Sequence, residues 1–243
     1  MDDTETESQL QKLMLYLAPN ETVFSNVMEE VEKKYSDLED TVYFGVIGGV
    51  DLSLGYLLAS NAKKGFLFDK NPQALDYFSQ RLNLAQETDT PQEYLAKLGE
   101  GNKKAHKKLS VYMNLLENKY PKEFDKLWLN DQRKFDKIKR LNKEEKIKTF
   151  TGDYYGDGAH FINTLIDNEN TKNALVYLSN IAEWGYKGKE QELFKSRNAV
   201  LNNRLKDLET AAIIESKPQG NNYISVASWV PEDNSYLKYV AID

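Results

Sequence analysis

Two apolar runs organise the pattern of this 243-residue chain. Residues 42–47 (VYFGVI) and 65–68 (GFLF) are short and show no polar alternation, which predicts strands buried on both faces. Residues 52–60 lie between them and are apolar over a helical length. The three pieces read as a β-α-β unit, with Gly48 and Gly49 in its first turn and Asp69 at the tip of its second strand.

The rest of the pattern arranges itself around that unit. Residues 8–17 predict a short apolar helix ended by Pro19. Phe24, Val27, Met28, Val31 and Tyr35 share one face of a second helix, which Asn20 or Thr22 can cap. Together residues 1–40 read as a helical cover. After Asp69, Asn71 and Pro72 are the residue types of an N-cap and a first helical position, and Leu75, Phe78, Leu82 and Ala85 form the inward stripe that follows. From 91 to 146 the chain is helical and polar, with stripes at Leu109, Tyr112, Met113 and Leu116, and at Phe124, Leu127 and Trp128. One helix suffices for a crossover between parallel strands, so residues 72–146 predict a helical insertion.

Residues 147–151 resume the sheet. A helix at 160–166 follows with Phe161 and Leu165 inward, then a strand at 174–178. A long amphipathic helix over 189–208 presents Phe194, Leu201, Leu205 and Leu208 on one face. Strands at 210–215, 223–230 and 237–242 finish the chain, and the turns KPQGNN and PEDNS make the last pair antiparallel neighbours. The predicted fold is α/β: one domain over 1–243, built on a doubly wound, Rossmann-like, mainly parallel sheet with a helical insertion and a C-terminal antiparallel hairpin.

Composition narrows the function classes. No apolar run approaches the roughly 20 residues of a membrane span. The acidic start MDDTETESQ lacks the basic and then apolar pattern of a secretory signal, so the expected location is cytoplasmic. There is no Cys, which excludes disulfides and thiolate chemistry, and two His are too few for a histidine metal centre. Asp153, Asp157 and His160 do not have a metal-site spacing, and no metal is expected. The net charge of -6 is uneven: residues 102–148 hold 15 Lys/Arg against 7 Asp/Glu, leaving the remainder at about -14. That segment keeps helical apolar spacing and shows no pattern of exposed aromatics for base stacking, so it reads as a solvated surface with no nucleic-acid partner.

The candidate chemistry sits at the predicted strand tips. A carboxylate at Asp69 is placed to accept hydrogen bonds from both hydroxyls of a ribose, which points to an adenosine-containing ligand. The turn GVIGGVD matches neither G-x-G-x-x-G nor G-x-x-x-x-G-K-[ST], so a ligand without phosphates, such as S-adenosylmethionine, fits better. Asp51, just past the glycines, is expected to meet that ligand's ammonium group. Asp153, beside Tyr154 at the end of the 147–151 strand, is placed to accept from an adenine amino group. Ser179 and Asn180 end another buried strand and must either meet a ligand or cap the next helix.

The segment GGVDLSLGYLLASNAKKGFLFDKNPQALDYFSQRLNLAQ, with TPQEYLAKLGEG, GDYYGD and VYLSNIAEW further on, resembles a known family. It is similar to the S-adenosylmethionine:3-amino-3-carboxypropyl transferases of betaine-lipid synthesis, over roughly residues 42–184. The most specific parts are D-x-N-P at 69–72 and L-S-N at 178–180; Ala74 stands where that family carries a glutamine. The resemblance implies a class I methyltransferase-like fold and S-adenosylmethionine as co-substrate. It puts Gly48, Gly49 and Asp51 near the methionine part and Asp69 and Asn71 at the ribose. Asp153 and Tyr154 would lie at the adenine, and Ser179 and Asn180 near the reacting groups. Glu183 would be the base, with Tyr16 and Trp184 toward the acceptor, a small molecule or lipid headgroup if there is one. Methyl transfer from the same donor, and a non-catalytic nucleic-acid-binding module, are the alternative functions.

Overall fold

The structure is a computed structural model that describes residues 24–47, 50–101, 103–153, 158–179, 204–217 and 223–229. In chain order these residues form α1 (Ser25–Tyr35), β1 (Thr41–Val46), α2 (Val50–Ala59), β2 (Lys64–Asp69) and α3 (Pro72–Gln86). Next come α4 (Pro91–Gly101), α5 (Lys103–Lys119), α6 (Pro121–Lys126) and α7 (Gln132–Lys143). The chain then runs through β3 (Ile147–Thr151), α8 (Ala159–Asn168), β4 (Asn173–Ser179), β5 (Thr210–Lys217) and β6 (Tyr223–Trp229).

The strands make one sheet in the order β3-β2-β1-β4-β5-β6. β1 is parallel to β2 and β4, β2 to β3, and β4 to β5, whereas β6 runs antiparallel to β5. This is a doubly wound, Rossmann-like α/β architecture, as the apolar runs predict. The order reverses between β1 and β4, the position at which open α/β sheets bind ligands outside their carboxyl ends.

The burial pattern explains the strand sequences. Every residue of β1 is buried, as a central strand covered on both faces requires. Gly45 in its middle is there for a close approach, because a Cβ would lie 2.3 Å from the Tyr43 hydroxyl, whose ring crosses it. Among the described residues β3 pairs on one side only, and its residues after Ile147 are all partly or fully exposed. A ladder of rings, Phe44 on Phe66 on Phe150 on Phe161, ties β1, β2, β3 and α8 together with centroid spacings of 4.7–5.9 Å.

Four helix-to-strand turns use the same device. Asp40, Asn61, Glu145 and Asn170 each take a left-handed conformation shortly before a strand. At Glu145 and Asn170 the paired backbone bonds of a Schellman ending are complete, Glu145 N to Asn142 O with Lys146 N to Leu141 O, and Asn170 N to Asp167 O with Thr171 N to Ile166 O. Asp and Asn tolerate that region; Glu145 does so at a cost. Glu145→Gly is therefore expected to raise stability by about 0.5–1 kcal/mol, read as a higher urea midpoint at unchanged slope.

Several predicted details are corrected. α1 begins at Ser25 with Phe24 as its N-cap and without a side-chain cap, in place of a start capped at Asn20 or Thr22. Helix α8 turns Ala159, Ile162 and Ile166 fully inward, while Phe161 and Leu165 are half-buried on its flank. Predicted elements at 8–17, most of 189–208, and 237–242 lie outside the described residues. Among the described residues no helix is long and apolar enough to cross a membrane, and no group of three or more His, Asp or Glu could hold a metal ion.

Candidate functional site

The carboxyl ends of the strands bring together residues far apart in sequence. Asp69 closes β2 and pairs in register with Thr151 of β3. One residue later, Gly152 N donates to Asp69 O at 3.0 Å, which sets Asp153 beside Asp69 along the rim. The rim is open there: a Cβ on Gly152 would meet nothing within 4 Å. Asp153 is exposed, and its carbonyl accepts from Gly158 N at 3.1 Å.

Asp69 is held by its own sequence motif. Its Oδ1 accepts from Asn71 N at 2.8 Å, and Asn71 Oδ1 in turn accepts from Gln73 N at 3.0 Å. Asn71 is thus the N-cap of α3, with Pro72 at the first helical position. D-x-N-P is therefore one connected device that starts the helix and fixes the carboxylate at the strand tip. Asp69 is half-buried and enters none of the ion pairs among the described residues. Burial pushes its carboxyl above the usual range, while the Asn71 N–H and the nearby Lys70 pull it back only in part. A desolvated carboxylate is what a pair of neutral hydroxyl donors can satisfy.

Asp51 stands elsewhere than the sequence predicts. It lies in the first turn of α2, but its side chain is fully buried and both oxygens have partners within the protein. Arg81 Nη2 donates to Oδ1 at 2.9 Å and Nη1 to Oδ2 at 3.3 Å, while Trp128 Nε1 donates to Oδ1 at 2.8 Å. In place of the ligand-facing position the sequence predicts, the Asp51 side chain lies in an internal ion pair with Arg81. Burial alone would depress the Arg81 guanidinium, yet the adjacent Asp51 carboxylate outweighs it and keeps the group firmly protonated.

Sequence reasoning did not find this cluster. Arg81 falls within the inward stripe of α3, between Phe78 and Leu82, and a cation on an apolar face needs a buried carboxylate. That was the available signal. Tyr94 of α4 accepts from Arg81 Nε at 2.5 Å, and the Tyr94, Trp128 and Phe135 rings pack on one another with centroids 5.4–5.9 Å apart. Ser53 was also missed: its hydroxyl donates to Val46 O at 2.5 Å and closes the turn between β1 and α2.

On the other side of the order reversal, β4 ends in a register shift between Tyr177 and Ser179, the two-against-one mismatch of a β-bulge. The register shift falls within the L-S-N motif. The predicted site residues Tyr16, Gly48, Gly49, Tyr154, Asn180, Glu183 and Trp184 lie outside the described residues, and of Ser179 only the backbone is described.

Six cations of the basic segment have partners among the described residues. Lys126 pairs with Glu32 at 2.6 Å, Arg133 with Asp131 at 3.1 Å and Lys146 with Glu144 at 2.6 Å. Lys137 donates to Asn61 Oδ1 at 2.9 Å, Lys134 to Asp125 O at 2.5 Å, and Lys139 to Thr88 O.

Comparison with known proteins adds little to this geometry. Residues 102–204 match a family described as a domain of unknown function, DUF7790. No curated protein matches the chain. Among solved structures it is similar to the rRNA methyltransferase aviRa from Streptomyces viridochromogenes, with 16% identity and a TM-score of 0.40 over 86% of this chain and 80% of that one.

Proposed function

We propose that the chain is an S-adenosylmethionine-dependent alkyl transferase acting on the 3-amino-3-carboxypropyl group. The observation that carries the donor is the half-buried, desolvated carboxylate of Asp69, fixed by the Asn71 N–H at the carboxyl edge of a doubly wound sheet. Asp69 holds the ribose in this reading and Asp153, its neighbour on the rim, holds the adenine amino group. Asp51 has no part in it, since Arg81 and Trp128 occupy its oxygens. Gly48 and Gly49 line the methionine part, with Asn180, Glu183, Trp184 and Tyr16 toward the acceptor on sequence grounds alone.

The sulfonium of the donor makes each of its three attached carbons electrophilic. Positioning a nucleophile in line with one C–S bond selects the product, and Glu183 removes a proton where the acceptor needs it. Attack at the γ-carbon of the aminocarboxypropyl group breaks that C–S bond and leaves methylthioadenosine. The attacking atom belongs to a small molecule, to a lipid headgroup, or to the donor's own amine, which would close a four-membered ring. The D-x-N-P geometry supports this choice through the family resemblance. Methyl transfer is the second reading, favoured by the class I methyltransferase architecture.

Mass spectrometry of products, with an enzyme-free control for spontaneous decay, tests the reading. Enzyme-dependent methylthioadenosine is the expected result, with or without added acceptor. Enzyme-dependent S-adenosylhomocysteine, matched by a methylated compound, replaces it with methyl transfer; neither product over the control removes both.

A further inference from the structure

The part of the helical insertion beyond α3 (α4 to α7) and the body of the fold, α3 included, meet at a buried polar cluster in which one carboxylate serves both. Asp51 Oδ1 accepts from Arg81 Nη2 on α3 and from Trp128 Nε1 in the turn between α6 and α7, at 2.9 and 2.8 Å. Arg81 reaches the insertion by a second route, donating from Nε to the Tyr94 hydroxyl of α4. Its guanidinium also stands over the rings of Tyr77 and Tyr94, at 5.9 and 5.6 Å from their centroids. Asp51, Arg81, Tyr94 and Trp128 are all fully buried, so none of these bonds can be replaced by water without opening the packing.

Asp51 also belongs to the start of α2, at the edge of the crevice. The same turn is tied to the end of β1 by the Ser53 hydroxyl on Val46 O. A shift of the start of α2 therefore moves the carboxylate on which Trp128 and Arg81 converge. Conversely, undocking Trp128 and Tyr94 leaves Asp51 and Arg81 short of partners inside the core.

We propose that Arg81 is a positioning residue that couples the ligand crevice to the helical insertion: through Asp51 it sets the start of α2, and through Asp51–Trp128 and Tyr94 it docks α4 to α7, so that nucleoside binding and insertion docking stabilise each other. The proposal rests on the nucleoside reading of the crevice given above. Coupling of this kind is reciprocal, so each event must strengthen the other by the same factor.

Two measurements on the full chain test it, with methylthioadenosine and S-adenosylhomocysteine as the probes. The first is hydrogen exchange read by mass spectrometry. Saturating probe is expected to slow exchange of peptides covering 91–101 and 124–141, which contain none of the rim residues, together with 50–59. The second is calorimetry of Trp128→Phe and Tyr94→Phe, which keep the ring stack and remove one hydrogen bond each. Both variants should bind the probe about three- to tenfold more weakly and lose most of the probe-dependent protection of the insertion. Val111→Ser, on the exposed face of α5, should change neither. A merely structural role would lower the stability of the two Phe variants while leaving affinity and probe-dependent protection at wild-type values, and that result overturns the coupling alone. A wild-type protein that binds neither probe overturns the coupling and the nucleoside reading together.

Discussion

Replacing Arg81 by Met is expected to destabilise the protein by about 3–5 kcal/mol, the usual cost of stranding one member of a buried ion pair. Arg81 and Asp51 are 1% and 0% exposed, so no solvent screens the charge left behind. Among the described residues Asp51 would keep only the Trp128 N–H as a donor. A typical domain has about 5–15 kcal/mol of total stability, so the variant should stand near its unfolding threshold. The exposed pair Lys63–Asp40, its side chains 39% and 47% exposed, should contribute little in the same assay. The informative companion is the double variant Arg81→Met with Asp51→Asn, which removes both charges and leaves a neutral acceptor for Trp128. Urea unfolding at neutral pH should show it recovering much of the loss, a favourable coupling of more than about 1 kcal/mol. Additive losses, or a single Arg81→Met cost below about 1 kcal/mol, would show that the pair does not hold the cluster together.

The legible parts of this fold are those where one periodicity had no competitor. β1, β2 and β4 read as strands because burial on both faces leaves only apolar residues, and the structure places them within one or two positions of the predicted limits. Asn71-Pro72 was legible because its chemistry is local: the cap bonds span two residues. The inward face of α8 was misjudged because its apolar residues Phe161, Ile162, Leu165 and Ile166 occupy two adjacent stripes, and only the sheet selects one of them. The start of α1 was misjudged for a related reason: burial of Phe24 and Ser25 positions that end where no side chain caps it.

The site was legible in part, by the same physics. Asp69 could be placed because a strand tip is a local address. Asp51 could not, because its partner lies 30 residues away and Trp128 lies 77 away, and nothing local distinguishes a carboxylate aimed at a ligand from one aimed at a buried Arg. The Lys-rich segment shows the same limit. Its net charge was countable, but the backbone carbonyls of Asp125 and Thr88 that receive Lys134 and Lys139 are supplied by the fold.

Asp69→Ala is expected to weaken binding of methylthioadenosine or S-adenosylhomocysteine by about ten- to a hundredfold, since a hydrogen bond to a charged group contributes about 1.5–3 kcal/mol. Stability should suffer little, because Asp69 accepts from the backbone N–H groups of Asn71 and Lys70 among the bonds described, and removing a desolvated charge offsets that loss. Asp69→Asn keeps an acceptor for Asn71 N without the charge and should fall between the two. The wild-type affinity should also depend on pH in a defined direction. Burial raises the Asp69 carboxyl above the ordinary carboxylate range of about 4. Ribose hydroxyls donate to the charged form and lower that value on binding. Affinity should therefore be flat at neutral pH and fall as the solution is acidified through the raised pKa, with a proton released on binding inside that window. Calorimetry in two buffers of different ionisation enthalpy reads both quantities. In Asp69→Ala the decline and the released proton should vanish together. A folded Asp69→Ala that binds as wild type does, or one that keeps the acid decline unchanged, would place the ribose contact on some other group of the rim.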